Sequence, residues 1–420
     1  MAVPNAAAPR RATTVAAGVV LILLLATALS ACTVSGSDVT LRALRSDALI
    51  TTPLHLQVTG LEPGQRVTLD VAARGEERTA SATFVAGTDG QVDLRRDAPV
   101  SGDYGGVDPY GFIRALGLVK PRGTSPERVW LDVSASVDGE PAARGRVLRR
   151  FRADGVRSHQ LTLARDGVLG VYYAPRATET RRPAVLVFGG ARGHLFGPTV
   201  AGLLASHGYP AMSIAYFRMP GLPPHLEDIP LEYFVHALKK LRSRPGVDRQ
   251  RVVVYGVSRG SEAAQLLGAY RPDLVGAVVA LVPSSVVHGS WPIGRGAGWT
   301  WRGKPVAPWV PQDSTGGFRD DVSIPVERID GPMFLVCGRR DRVWPSCDYL
   351  DHIVQRRADH GRPAPVVTRV GDAGHDMGGL VPGTQDVYAA PDSAHPAVVT
   401  RHRVEVWGKL MDFLADQRRH

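Results

Sequence analysis

The chain is predicted to fold as an all-β sandwich followed by a larger α/β region, a mostly parallel sheet with helices on both faces. Three observations lead there. Between Ile50 and Leu148, short runs of alternating apolar and polar residues are separated by Gly, Asp and Pro turns, the pattern of half-buried antiparallel strands. From about Val168 onward, β-favouring runs alternate with amphipathic helical stretches, an order that builds a parallel sheet. In Arg251-Val-Val-Val-Tyr-Gly-Val-Ser-Arg-Gly260, a β run enters a G-x-S-x-G and passes directly into a helix-forming segment. That strand, sharp turn and helix are the context of a nucleophile elbow, the hallmark of an α/β-hydrolase domain.

The elements follow in order. Arg10-Arg11 precede an apolar run from Val15 to Leu29 that is shorter than a comfortable bilayer span. Leu29-Ser30-Ala31-Cys32 then reads as a lipobox. Residues 1–31 are therefore expected to be a signal peptide, and Cys32 the lipid-modified first residue of a bacterial protein held on the extracytoplasmic face of the cell membrane. An uncleaved anchor or a fortuitous cysteine is the alternative, and Sec and twin-arginine export both stay open. Residues 32–48 read as a tether. The sandwich is assigned to 49–150, with strands at His55–Val58, Arg66–Val71, Thr79–Val85 and Val129–Ala135. The hydrolase domain is assigned to 151–420, with the crossing between domains at Arg149 to Val168. Strands are expected at 168–173, 184–188, 211–216, 252–256, 275–282, 333–337 and 366–370. Helices are expected near 197–207, 231–243, 259–269, 346–357 and 401–416. In the last of these Val404, Trp407, Leu410, Met411 and Leu414 fall at core spacing.

At 420 residues with 44% apolar content, the chain exceeds one ordinary domain and can bury sizeable cores. Its net charge is +10, but the arginines are scattered instead of stacked on one helix face, so no nucleic-acid partner is expected. An anionic membrane or a phosphate-bearing substrate is the more natural counterpart. Of the three cysteines, Cys32 is explained by the lipobox. Cys337 and Cys347 could bridge in an oxidising compartment or stay buried as thiols. The Cys and His spacings suggest no metal site, and no cofactor is expected.

A serine nucleophile needs a base and an orienting acid, which follow it in this fold as acid and then His. Pro332–Gly338 reads as a buried strand, and Asp341 lies in the loop leaving it. Pro365–Val370 is another short strand, and His375 lies in the glycine-flanked loop beyond it. Ser258, Asp341 and His375 are thus the candidate catalytic set. Asp372 and Asp376 are near enough to compete as the acid, and Asp341 could be a surface acid paired with Arg339, Arg340 or Arg342. For the oxyanion, one amide should come from Arg259, after the nucleophile. A second should come from Gly190, in the Gly189-Gly-Ala-Arg-Gly193 loop after the strand Ala184–Phe188. That loop lacks the ending of a P-loop. Between Val286 and Ile329 an insertion carries Trp291, Trp299, Trp301 and Trp309, read as either a lid or acyl-pocket wall, or a self-packed loop. Arg259 and Lys304 read as substrate-phosphate contacts or solvated surface charges.

Several passages carry a resemblance. They are Leu54–Leu69, Tyr104-Gly-Gly-Val-Asp-Pro-Tyr-Gly-Phe112, Val185–Gly190, Leu203–Tyr209, Leu231–Phe234 and the Gly338-x-x-Asp341-x-x-Trp344 spacing. From about residue 45 onward the chain resembles the acyl-CoA thioesterase / bile-acid-CoA:amino-acid N-acyltransferase family. That family joins an N-terminal immunoglobulin-like β domain to an α/β-hydrolase domain. The resemblance implies hydrolysis of acyl-CoA thioesters, a reaction of fatty acid metabolism, with Ser258, Asp341 and His375 at the triad positions. The acyltransferase branch typically carries cysteine as nucleophile, so serine here favours hydrolysis. The residues themselves imply a serine hydrolase acting through an acyl-enzyme on a small acyl thioester or ester. An extracytoplasmic carboxylesterase, an acyl-CoA:amine N-acyltransferase and a lipid-anchored binding protein on a hydrolase scaffold are the alternatives. A monomer or small homo-oligomer is expected, meeting the membrane surface through its lipid anchor.

Overall fold

The computed structural model describes residues 39–417 apart from 76, 117–127, 177–179, 293, 307, 312–320 and 383–395. The expected signal peptide, Cys32 and the first part of the tether lie outside the described residues.

The N-terminal region contains β1 (Thr40–Ala43), β2 (Asp47–Leu49), β3 (Leu56–Thr59), β4 (Arg66–Ala73), β5 (Thr79–Val85), β6 (Val92–Asp93), β7 (Ser101–Gly102), helix α1 (Gly111–Leu116), β8 (Arg128–Val137) and β9 (Glu140–Arg150). They form two sheets, β1-β3-β6 and β2-β9-β8-β4-β5-β7. Alternation explains the packing: Val67, Leu69 and Val71 of β4 point inward opposite Phe84, Ala82 and Ala80 of β5. They share one core with Leu56 and Val58 of β3 from the other sheet. The long β8–β9 hairpin turns at Asp138-Gly139, both with positive φ, 51° and 91°. An Asp-Gly pair accommodates that turn well. Residues 40–49 correct the tether reading, because β1 pairs with β3 and β2 pairs with β9. Strands of four and three residues are too short to show a period.

The α/β region begins with β10 (Arg157–Leu161), α2 (Leu163–Asp166), β11 (Leu169–Ala174) and β12 (Arg182–Phe188). Then come α3 (Pro198–Ser206), β13 (Ala211–Ala215), β14 (Ile229–Pro230), α4 (Leu231–Arg242), β15 (Val247–Val257), α5 (Arg259–Tyr270) and β16 (Ala277–Leu281). The insertion holds the short strands β17 (Trp299–Trp301) and β18 (Lys304–Pro305). The chain closes with β19 (Met333–Gly338), α6 (Ser346–Asp359), β20 (Val366–Val370) and α7 (Pro396–Asp416). The main sheet runs β10-β11-β13-β12-β15-β16-β19-β20. Its β10–β11 and β11–β13 pairs are antiparallel and the rest are parallel. β10 lies in the segment read as a crossing. Its sequence Arg-Ser-His-Gln-Leu buries Leu161 alone, as suits a polar edge strand.

Both faces of the sheet are covered. Leu186 and Val254 belong to one core, and Val185, Val187, Val253 and Tyr255 to the other. Ile50 and Phe151, flanking the sandwich, are buried in the second core beside Tyr173 and Trp407. Arg149 is buried within the N-terminal region and donates to the carbonyls of Arg45 and Pro53 at 3.1 and 3.2 Å. The sandwich and the α/β sheet therefore belong to one compact unit. Among the described residues no helix is long and apolar enough to cross a membrane. Gly190, Ser258, Asp341 and His375 all lie just beyond the C-terminal ends of parallel strands, where open α/β sheets gather their sites.

Candidate active site

Ser258 sits between β15 and α5 with φ 54° and ψ −123°, a backbone conformation a side-chain-bearing residue adopts only under constraint. The constraint comes from close backbone approach. A Cβ on Gly256 would lie 2.2 Å from the Gly260 carbonyl oxygen, and one on Gly260 would lie 2.3 Å from that of Gly189. Both flanking positions of the G-x-S-x-G must therefore be glycine. The Ser258 amide donates to Leu281 O of the neighbouring strand at 3.0 Å, which pins the elbow to the sheet.

Three residues far apart in the chain meet here. His375 Nδ1 donates to Asp341 Oδ2 at 2.9 Å, and the Ser258 hydroxyl lies 2.9 Å from His375 Nε2. With the carboxylate accepting at Nδ1, Nε2 is left as the acceptor for the serine proton. The Asp341 and His375 side chains are almost completely buried, 1% and 4% exposed. Asp341 Oδ1 accepts from the amides of Val343 and Trp344 at 3.0 and 3.3 Å, so the carboxylate is held at one oxygen while the other faces the imidazole. The competing acids are engaged elsewhere: Asp372 pairs with Arg401 and His402, and Asp376 Oδ1 accepts from the Gly374 amide. Arg339, Arg340 and Arg342 are exposed. A disulfide joins Cys337, near the end of β19, to Cys347, at the start of α6, and brackets the Asp341 loop.

The glycine-rich loop lies directly against the elbow. A Cβ on Gly190 would come within 2.8 Å of Ser258 Cβ and 3.2 Å of its Oγ. The Tyr216 hydroxyl donates to Gly189 O at 2.8 Å and fixes the loop from behind. Gly190 and the first residue of α5, Arg259, therefore flank the serine hydroxyl.

The Arg259 side chain does neither of the things considered for it. It is completely buried beside Glu262, Nε to Oε1 3.4 Å, and donates through Nη2 to the carbonyls of His288 and Gly289 at 2.9 and 2.7 Å. Glu262 also accepts from His288 Nδ1 at 2.9 Å and from the Trp299 indole at 2.8 Å. Burial opposes the charge on Glu262, but Arg259, His288 and the indole outweigh it and hold the carboxyl below its ordinary range. Burial pulls Arg259 below the usual guanidinium range, with Glu262 working against that pull. The His288 ring stacks on Trp344 at 5.1 Å, and Trp344 stands edge-on to His375 at 5.7 Å. The network thus reaches from α5, through the insertion, to the wall beside the imidazole.

Sequence reasoning missed Glu262 and His288, while the self-packed reading of the insertion had included Trp299. Arg259 and Glu262 stand i,i+3 in the first turn of α5, a spacing that an exposed pair would share. In the insertion, Trp299 is buried in the core and Trp301 packs on Tyr270 at 5.5 Å, so these two aromatics hold the loop down. Lys304 is exposed on β18. Among the described residues no cluster of His, Cys, Asp and Glu could hold a metal ion. The assembled groups can add an alcohol to an acyl carbon, move its proton through an imidazole and receive an oxyanion at backbone amides.

Comparison with known proteins adds to this geometry. Residues 51–163 match the family model described as acyl-CoA thioester hydrolase/BAAT N-terminal region, and residues 229–292 and 310–379 match BAAT / acyl-CoA thioester hydrolase C terminal. Human acyl-coenzyme A thioesterase 1 is 29% identical over 358 residues, covering 77% of this chain and 82% of its own. Mouse acyl-coenzyme A thioesterase 6 is 26% identical over 398 residues, covering 86% of this chain and 92% of its own. Among solved structures, a thermostable esterase aligns over 90% of this chain and 98% of its own, at 13% identity and a TM-score of 0.43.

Proposed function

The chain belongs to the acyl-CoA thioester hydrolase/BAAT family, whose N-terminal and C-terminal regions it carries in order, and on that premise we propose that it is a serine hydrolase cleaving acyl thioesters through an acyl-enzyme. The observation that carries the reading is the continuous chain from Ser258 Oγ to His375 Nε2 and from His375 Nδ1 to Asp341, each link 2.9 Å.

In the first half-reaction His375 Nε2 takes the Ser258 proton as Oγ adds to the thioester carbonyl carbon. The carbonyl oxygen becomes an oxyanion facing the amides of Arg259 and Gly190. Collapse expels the thiolate, which leaves as the thiol after receiving the proton from the imidazolium. In the second half-reaction His375 removes a proton from water as its oxygen adds to the acyl-serine. Collapse then releases the carboxylic acid and returns the proton to Ser258. Asp341 holds the ring in the productive tautomer and stabilises the imidazolium, and Trp344 fixes the ring plane.

The test is hydrolysis of a panel of acyl-CoA, aryl ester and amide substrates, with glycine added in one arm. Thiol release from acyl-CoA without N-acylglycine is the expected result, falling about 10^3-fold or more in Ser258→Ala. Acylglycine as the main product would make the protein a transferase.

We also propose an extracytoplasmic, lipid-anchored setting. Leu29-Ser-Ala-Cys32 supports it, as does the Cys337–Cys347 bridge, a pairing at home in oxidising compartments. Cells fed a tagged fatty acid are expected to label the wild-type protein and not Cys32→Ala. Equal labelling of both would remove the anchor from the account.

A further inference from the structure

At the end of the main sheet farthest from Ser258, β10, β11 and the loop between α4 and β15 enclose a cavity of about 430 Å³. The register determines its wall. Arg157 is opposite Ala174 and His159 is opposite Tyr172, so all four side chains share one face of the sheet edge. Arg244, from the α4–β15 loop, closes over that face with its guanidinium 4.9 Å from the centre of the Tyr172 ring, and His159 stacks against the same ring at 6.0 Å. Arg176, just after β11, completes the lining.

Three guanidiniums and an imidazole therefore line one concavity, and no carboxylate is among the described residues around it. Surface arginines ordinarily spread apart or pair with acids, as Arg74 and Arg146 do at Asp132 in this same chain. Here no such acid lines the cavity among the described residues. The volume lies within the range of small-molecule sites. Guanidinium forks match the oxygens of a phosphate group, donating two parallel hydrogen bonds each.

We propose that this cavity binds a phosphate-bearing anion, forming a second site remote from the catalytic serine. The two lie at opposite ends of β15, and β11 is a further three strands across the sheet from it. Occupancy is thus readable without any acyl substrate, and its outcome is independent of the thioesterase reading. The phosphate could belong to a soluble molecule or to a phospholipid headgroup, and the two sources separate experimentally.

Full-length protein in nonionic detergent is titrated with pyrophosphate at low salt by calorimetry. Co-sedimentation is then measured with phosphatidylglycerol vesicles and with phosphatidylcholine vesicles. Arg157→Gln/Arg176→Gln removes two exposed cations from the cavity, and Arg42→Gln/Arg66→Gln removes the same charge from exposed positions on the sandwich. Hydrolysis and melting temperature report that each variant is folded. Wild type and the sandwich variant are expected to bind pyrophosphate alike, and the cavity variant about tenfold or more weaker. Loss of phosphatidylglycerol binding in the cavity variant alone assigns the site to lipid headgroups. Loss confined to pyrophosphate assigns it to soluble phosphates. Failure of wild type to bind either probe, or equal weakening in the two double variants, overturns the proposal.

Discussion

Asp341 gives one carboxylate oxygen to the backbone of its own loop and the other to His375. Asparagine can keep the first contact, but its amide nitrogen would face Nδ1 and favour the tautomer that cannot accept the serine proton. Asp341→Asn is therefore expected to lower kcat by about 10^3- to 10^4-fold with KM little changed, checked by steady-state thioester hydrolysis. Gly190 tests the other side of the serine. A Cβ there would sit 2.8 Å from Ser258 Cβ and 2.9 Å from Val257 O, so the loop has to retreat from the hydroxyl. Gly190→Ala is expected to lower kcat by about 10- to 100-fold while the melting temperature moves by a few degrees at most. Both glycines of the G-x-S-x-G were legible in the sequence for the same steric reason. Arg259 was not, because an arginine on a helix gives no sign from spacing alone that its guanidinium is interior.

At the scale of elements, Glu262 joins α5 to the insertion, since its donors are Arg259 of the same helix, His288 and Trp299. Removing the acid leaves a buried guanidinium without its counter-charge. Glu262→Ala is expected to destabilise the protein by about 3–5 kcal/mol, measured by urea unfolding. The folded-state value of Glu262 is lowered, so its share of stability is complete above the ordinary glutamate range and is lost as pH falls through the lowered value. Asp93 in β6 offers the same test in the sandwich. Burial works against its charge, but the Arg95 amide, Gln57 and His55 outweigh it and bring the carboxyl from 3.8 to about 2. Its stabilisation is present above pH 3.8 and is lost between there and about 2, and Asp93→Asn is expected to flatten the fall in melting temperature across that window. The long alternating strands β4 and β8 and the buried parallel strands were readable from period and composition. β1, β2 and β10 were not: two are too short to carry a period, and the third is a polar edge strand whose pairing is decided by its neighbour.

For the whole molecule, strand order and site placement agree. The parallel strands deliver the Gly190 loop, the elbow, the acid loop and the histidine loop to one end, and the disulfide secures the acid loop. The order of serine, acid and histidine was legible because this sheet demands it. Asp341 was read as the acid from chain order and strand-end placement, with Asp372 and Asp376 as competitors, and the fold sets its carboxylate against the imidazole. The junction of sandwich and sheet, made by Ile50 and Phe151 packed beside Tyr173 and Trp407, was read from sequence as a crossing and is a packed seam. The central claim is that Ser258 is the nucleophile, and the most direct measurement is labelling with a serine-directed phosphonate followed by peptide mass mapping, with and without acyl-CoA. The account predicts a single adduct on Ser258, slowed by acyl-CoA and lost with activity in Ser258→Ala. Adduct formation at another residue, or thioester hydrolysis undiminished in Ser258→Ala, would contradict it.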